Sequence, residues 1–192
     1  MKDIYTYYII SLIFITTMST SGFAQTFKKV EKETDDAIIW TKDRRLKLTD
    51  FQAEVDTTTS KKALTGANII IVPNSYKNGI YTYQVFAKFH KDLSWINTTS
   101  AYILNHEQLH FDIAELYARK MRRDIQKIKK TTGKVLQSDY RRIHKSLFRS
   151  YIYFQKQYDT QTQYSTDQEE QQRWNIIVAD DLKKLENFSL DL

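Results

Sequence analysis

The chain contains no cysteine among its 192 residues. It can therefore form no disulfide and carry no lipid on a cysteine, and any metal site has to use histidine, carboxylate, tyrosine or backbone ligands. Proline occurs once and glycine four times, which leaves no Pro- or Gly-rich linker between domains. These absences favour one domain that is stabilised by its packed core alone.

Histidine is also scarce, yet two of the four histidines stand in one short motif. His106 and His110 enclose Glu107 in the pattern His-Glu-x-x-His. Residues four apart lie on one face of a helix, so both imidazoles can bind the same metal ion, and Glu107 falls beside that ion. Because both histidines also lie on the apolar stripe of a long amphipathic helix, the motif predicts a metal site on that helix.

Zn²⁺ is the cofactor that this motif favours, because imidazole suits it and its catalytic sites keep one position open for water. Water in that position becomes a nucleophile near neutral pH, and Glu107 can act as its general base. The motif thus predicts a zinc-dependent hydrolase, and most simply a metallopeptidase that acts on a peptide or protein substrate. The alternative is a non-catalytic zinc-binding or structural envelope protein with a degenerate site.

The motif supplies only two ligands, so a third has to come from another part of the chain. No Gly-x-x-His follows the motif, and the acidic residues at 112 and 115 point away from its face of the helix. The remaining candidates are His144 on the next predicted helix, and Asp159 and Tyr164 in the loop expected after that helix. A phenol such as that of Tyr164 could instead donate to the oxyanion formed during hydrolysis.

Three other polar residues have explanations that need no metal. Glu169 and Glu170 stand where a third helix is expected to begin, and the helix dipole favours acidic residues there. His90 ends a predicted strand before the motif helix. It is either a second candidate for stabilising an oxyanion or a plain surface residue of the strand.

The stretch from His106 to Arg119 resembles the signature of a bacterial family of small secreted proteins, domain of unknown function 922, whose members are suspected to be Zn-dependent proteases. Other similar segments are Leu48-Thr49-Asp50-Phe51, Ser94-Trp95, Tyr158 to Thr162, and Gln172-Arg173-Trp174. In the family pattern a His-Gly pair stands where this chain has Tyr164-Ser165. If that histidine is a ligand in the family, this chain has lost it or replaced it by tyrosine.

Residues 1–24 have the features of a secretory signal peptide. They contain Lys2, an apolar run from Ile4 to Met18 and the small-x-small sequence Gly22-Phe23-Ala24. The run is short for a membrane span of about 20 residues, although an uncleaved anchor helix is the alternative. We therefore expect cleavage before Gln25, export to the periplasm or the medium, no stable membrane anchor, and one domain over residues 25–192.

The apolar pattern predicts an α+β fold of the zincin type, in which a small antiparallel hairpin precedes the long metal-binding helix and two further helices. We expect strands over residues 37–40, 63–72 and 80–90, with a turn over 74–79. We expect helices over about 98–130 and 138–157, and a third helix opened by a capping box from Thr166 to Glu169.

Basic residues outnumber acidic ones, and the formal net charge is +6. They are concentrated in runs at 119–123, 127–130 and 141–142. These runs could meet phosphate or an anionic envelope surface, but the first two lie toward the end of the motif helix, where the dipole favours cations. No nucleic-acid-binding motif is present, so we expect no nucleic-acid partner.

Overall fold

The computed structural model describes residues 27 and 29–190, so the predicted signal peptide lies outside the described residues. The strands are β1 (Ala37–Ile39), β2 (Ala63–Leu64), β3 (Ala67–Lys77), β4 (Ile80–His90) and β5 (Trp95–Ile96), and the helices are α1 (Ala101–Thr132), α2 (Gln137–Gln161) and α3 (Gln168–Lys184). The predicted α+β class is confirmed. In this part of the chain, no helix has the length and apolar character needed to cross a membrane.

Two small antiparallel sheets form the β part of the fold. The larger has the order β1-β4-β3, and the smaller pairs β2 with β5. The strand predicted over 63–72 is therefore two strands, interrupted at Gly66, where a Cβ would lie 2.8 Å from the Cβ of Leu93. Pro73 does not end β3, because β3 is an edge strand and its register with β4 shifts beside this residue.

A tight turn joins β3 to β4. Its two central residues, Asn78 and Gly79, have φ values of 51° and 78°. Positive φ at both positions is what a two-residue hairpin turn requires, and Asn-Gly is the dipeptide that meets it most easily. The turn is thus shorter than the predicted one. A 3₁₀ turn spans Leu48–Asp50.

Helix α1 spans Ala101–Thr132, within three residues of the predicted bounds at each end. The Oγ of Ser100 accepts a hydrogen bond from the backbone N–H of Ile103 at 3.4 Å, and Gly133 ends the helix with a φ of 75°. One face of the helix packs against the three-stranded sheet, where the rings of Phe89 and Phe111 lie 5.7 Å apart and are fully buried. This packing fixes the motif helix on the sheet.

The two remaining helices differ from their predicted bounds in a way that matters for the site. Helix α2 continues to Gln161, so Asp159 lies on its last turn rather than in a loop. Helix α3 begins one residue after Asp167, whose Oδ1 accepts from the N–H of Glu170 at 3.0 Å, so the predicted capping box from Thr166 is wrong. Between the helices, residues 163–165 all have left-handed backbone conformations.

Candidate metal centre

Three side chains from two helices converge at one point. His106 and His110 lie one turn apart on α1, and Asp159 lies near the end of α2. The Oδ1 of Asp159 is 3.1 Å from the Nε2 of His110 and 3.4 Å from the Nε2 of His106. One ligand atom from each residue lies within 4.8 Å of the others. Two zinc ligands at about 2.1 Å in tetrahedral geometry are about 3.4 Å apart, so the two distances to Asp159 are close to the spacing of metal ligands.

The amide of Gln155 fixes the ring of His110. The Nδ1 of His110 lies 2.6 Å from the Oε1 of Gln155, and the Nε2 of Gln155 donates to the carbonyl oxygen of His110 at 2.9 Å. Because the amide nitrogen is engaged by that carbonyl, the amide oxygen faces the ring and Nδ1 has to be the donor. In the neutral imidazole this leaves the Nε2 lone pair directed at Asp159.

A second glutamine fixes His106 in the same way. The Oε1 of Gln171 lies 2.8 Å from the Nδ1 of His106, and its Nε2 donates to the Oδ1 of Asn175 at 3.0 Å. The ring of Tyr158 stacks on His106 with the centroids 4.6 Å apart, and its hydroxyl donates to the same glutamine oxygen at 2.8 Å. Gln171 and Tyr158 are completely buried, so this support is shielded from water.

Electrostatics tie Asp159 to the two histidines. Burial alone lowers the pKa of His110, but the charge and hydrogen bond of Asp159 outweigh it and raise that pKa to about 9. Burial alone raises the pKa of Asp159, but the charge of His110 and hydrogen bonds from both histidines hold it well below its usual range. The cluster therefore favours a bound positive charge. In the metal-free protein, a proton on His110 supplies this charge.

Glu107 is buried beside this cluster, with 5% of its surface exposed. Among the described residues, none forms a hydrogen bond or ion pair with its carboxylate, whereas its backbone carbonyl accepts from the Oγ1 of Thr65 at 3.2 Å. The charge of Glu107 also raises the pKa of His110, but burial, which lowers it, and Asp159, which raises it, have larger effects. The carboxylate therefore lies close enough to influence His110 and has no protein partner among the described residues.

Tyr102 lies four residues before His106, on the same face of α1. Its hydroxyl is buried and has no hydrogen-bond partner within the described part of the chain. Burial, aided by the charge of Asp167, raises the pKa of Tyr102, so the phenol stays protonated and can donate. The only sequence signal for it was its spacing of one helical turn from the motif.

The other candidate ligands lie in different surroundings. The ring of His144 stacks on Phe148 with the centroids 5.2 Å apart. Tyr164 is 56% exposed, and the Nζ of Lys61 lies 5.4 Å from the centre of its ring. His90 faces Asn68 across the sheet, with Nε2 and Oδ1 3.2 Å apart. Of the three candidates for the third ligand, Asp159 is the one that the fold brings to the two histidines.

Four acidic residues on α1 and α3 that were not expected to bind metal form hydrogen bonds or ion pairs outside the cluster. The carboxylate of Asp112 accepts from Trp40, Arg45 and Gln108. Glu115 is buried in ion pairs with Arg119 and Arg122. The carboxylates of the first turn of α3, at positions 169 and 170, both pair with one arginine at position 173. None of these four carboxylates belongs to the histidine cluster.

One known protein family matches the region that contains the cluster. Residues 87–169 match the model of a family described as "Bacterial protein of unknown function (DUF922)". The match supports the identification of the chain with this family. The match confirms the resemblance noted in the sequence, and it includes His106, His110 and Asp159. No curated protein and no solved structure matches the chain.

Proposed function

We propose that this DUF922 protein is an exported zinc-dependent hydrolase in which His106, His110 and Asp159 hold the ion. The observation that carries the proposal is the convergence of two Nε2 atoms on one carboxylate oxygen. Glutamine oxygens face both Nδ1 atoms, so both Nε2 lone pairs are available in the neutral rings. Two histidines and one carboxylate are a ligand set of catalytic zinc sites, which leave the fourth position for water.

The proposed reaction is hydrolysis of a peptide bond, with Glu107 as the general base. When bound, Zn²⁺ supplies a Lewis acid that makes water nucleophilic near neutral pH. Glu107 accepts a proton as the water oxygen adds to the carbonyl carbon, and returns it to the amine nitrogen as the C–N bond breaks. Its lack of a protein partner supports this role, because the carboxylate is free to hold the water.

Tyr102 is the proposed donor to the carbonyl oxygen of the substrate. The oxygen becomes negatively charged as water adds, and a preorganised donor stabilises that charge most in a site shielded from water. The buried and unpartnered hydroxyl of Tyr102 supports this assignment. The general base and the two histidine ligands lie on one helix, and this arrangement supports a zincin-like fold, which we also propose.

The test compares Glu107→Gln with a matched surface variant, Glu169→Gln, whose side chain is 77% exposed. Glu107→Gln should keep one zinc per chain by metal analysis, because Glu107 is not a ligand, and should lose at least about a hundredfold in peptide cleavage. Glu169→Gln should keep both properties. His106→Ala and His110→Ala should each abolish tight zinc binding.

Two results would contradict the proposal. Equal cleavage by the wild type and Glu107→Gln would place the activity elsewhere. A wild type that binds zinc tightly and cleaves nothing in a broad peptide library would establish the non-catalytic alternative. In that case Tyr164→His is the next variant, because a gain of cleavage would identify the departure at this position as the cause.

A further inference from the structure

The positive charge of the chain is concentrated where α1 ends and α2 begins. Residues 127–145 contain seven basic residues and one acidic residue, a net charge of +6, which equals the formal charge of the whole chain. All other residues together are therefore neutral. We call this region the basic end, and its exposed basic residues are Lys127, Lys129, Lys130, Lys134, Arg141, Arg142 and Lys145.

The helix dipole and local ion pairs account for only part of this charge. Lys129 and Lys130 are the basic residues in the last turn of α1, where the dipole acts. The one acidic residue of the region, Asp139, pairs with Arg142 at 2.9 Å. The four lysines from 127 to 134 form no ion pair with any residue that the structure describes. Their charge is thus directed to the solvent, where it attracts anions.

Exposed aromatic rings lie next to the basic end. Tyr76 and Tyr81, near the tip of the β3–β4 hairpin, are 41% and 38% exposed, and their ring centres are 4.6 Å apart. Tyr83 continues this row and contacts Tyr140 of α2 with the ring centres 4.7 Å apart. Gln137, in the first turn of α2, donates to the hydroxyl of Tyr83 at 3.1 Å. These contacts hold the hairpin tip against the basic end.

We propose that the basic end and the tyrosines of the hairpin tip form one docking surface for an anionic lipid bilayer. Clustered lysines and arginines are attracted to anionic headgroups, and tyrosine favours the interface because its ring is apolar and its hydroxyl is polar. Leu136 of the basic end is 47% exposed and adds an aliphatic contact. The rings of Tyr76 and Tyr81 pack on each other, which leaves less ring face for stacking with nucleic-acid bases.

This docking would leave the metal cluster accessible. His110 and Lys127 lie on the same helix, separated by about 25 Å at the helical rise per residue. A bilayer that contacts the basic end would therefore lie at one end of α1, with the histidine cluster toward the other. The inference rests on surface charge and exposed rings, so it is independent of whether the cluster catalyses hydrolysis.

The test measures cosedimentation of the protein with phosphatidylcholine vesicles, with and without phosphatidylglycerol. Binding should require phosphatidylglycerol and weaken as salt is added, because salt screens the attraction. Each basic residue near such a surface contributes about a fivefold factor, so the triple variant K127E/K130E/K134E should bind at least about a hundredfold more weakly. The control K42E/K47E/K183E changes three exposed lysines elsewhere and should bind nearly as the wild type.

A second pair of variants tests the tyrosines. Y76S/Y81S should weaken binding about tenfold through the loss of interfacial burial. Tyr153→Ser should not, although Tyr153 is 63% exposed. Absence of binding to phosphatidylglycerol vesicles at low salt, or equal losses in the two triple variants, would overturn the proposal. So would equally tight binding to single-stranded DNA without dependence on Tyr76 and Tyr81, which would indicate a general polyanion site.

Discussion

The Oδ1 of Asp159 lies 3.1 Å from the Nε2 of His110, although 49 positions separate the two residues in the chain. The contact follows from the antiparallel packing of α2 on α1. Tyr158 meets His106, Gln155 meets His110, and Tyr151 meets Tyr117 further along the pair. Asp159 is therefore positioned by a whole helix–helix interface rather than by a flexible loop, which suits a ligand whose geometry has to be preorganised.

The first prediction is that Asp159 is the third ligand. Asp159→Asn should lose tight zinc binding, because two histidines alone cannot hold the ion. His144→Ala, Tyr164→Phe and the surface control Asp180→Asn should each retain one zinc per chain. Metal analysis after dialysis, with calorimetric titration of zinc, measures both properties. Retention of zinc in Asp159→Asn together with its loss in Tyr164→Phe would make the tyrosine the ligand.

The second prediction is that two histidines of the metal-free protein titrate on opposite sides of the ordinary value. Burial alone lowers the pKa of His110, but Asp159 raises it to about 9. Burial lowers the pKa of His144, beyond the opposing effect of the Ile69 backbone. Imidazole resonances followed by NMR should show His110 changing near pH 9 and His144 below pH 6.5. Titration of His110 near its unperturbed value would contradict the contact with Asp159.

The same shifts give the sign of the pH dependence. The pKa of His110 is higher in the folded chain than the ordinary 6.5, so its pairing stabilises the metal-free fold below that pH and is lost as the pH rises through about 9. The pKa of Asp159 is lowered, so its ionised carboxylate stabilises the fold above its ordinary pKa of 3.8. This stabilisation is lost as the pH falls through the lowered pKa. Zinc has to displace the proton of His110, so zinc affinity should rise with pH up to about 9.

The third prediction concerns the glutamines behind the histidines. Gln171→Leu removes the glutamine oxygen that faces the Nδ1 of His106, while the hydroxyl of Tyr158 stays 2.8 Å from that nitrogen. The change should weaken zinc binding about 10- to 100-fold. Gln171→Glu keeps an acceptor oxygen and should restore most of the affinity. Gln108→Leu is the matched control, because Gln108 is equally buried but bonds to Leu46 and Asp112. If Gln108→Leu lowers zinc affinity as much as Gln171→Leu, the effect is one of general destabilisation.

The sequence predicted the motif helix well because its signals are local. Ser100 and Gly133 mark its ends, and the spacing of His106 and His110 shows their common face. Asp159 was assigned to a loop, because the polar segment that follows Tyr158 has no apolar periodicity. Packing against α1 extends α2 through it, and tertiary contacts override weak local preference. Gln155 and Gln171 were missed because each lies on a buried helix face, where a lone polar residue gives no pattern.

No sequence pattern predicts the turn that follows Asp159. Gln163, Tyr164 and Ser165 have φ values of 49°, 55° and 71°, conformations that glycine adopts easily and other residues adopt at a cost of about 1–2 kcal/mol each. No glycine marks the position. Hydrogen bonds at Thr162 offset part of this cost: its buried Oγ1 donates to the carbonyl of Tyr158 at 2.8 Å, and its own carbonyl accepts from the N–H of Thr166 and of Asp167. The turn thereby directs α3 back to place Gln171 behind His106.

The last prediction is that Tyr102→Phe makes the protein more stable and less active. Its hydroxyl is buried and has no partner among the residues that the structure describes, so removing it should raise the free energy of unfolding by about 1 kcal/mol, measured by urea denaturation. If the hydroxyl donates to the developing oxyanion, kcat should fall about a hundredfold while KM and zinc content stay near the wild-type values.

The control is Tyr153→Phe, which removes a hydroxyl from a ring that is 63% exposed and should change neither property. A gain in stability with unchanged kcat would show that Tyr102 carries an unsatisfied hydroxyl with no part in the reaction. A loss of both stability and zinc would show instead that the hydroxyl supports the cluster. A donor whose only partner is the substrate carbonyl should give higher stability and lower kcat when its hydroxyl is removed.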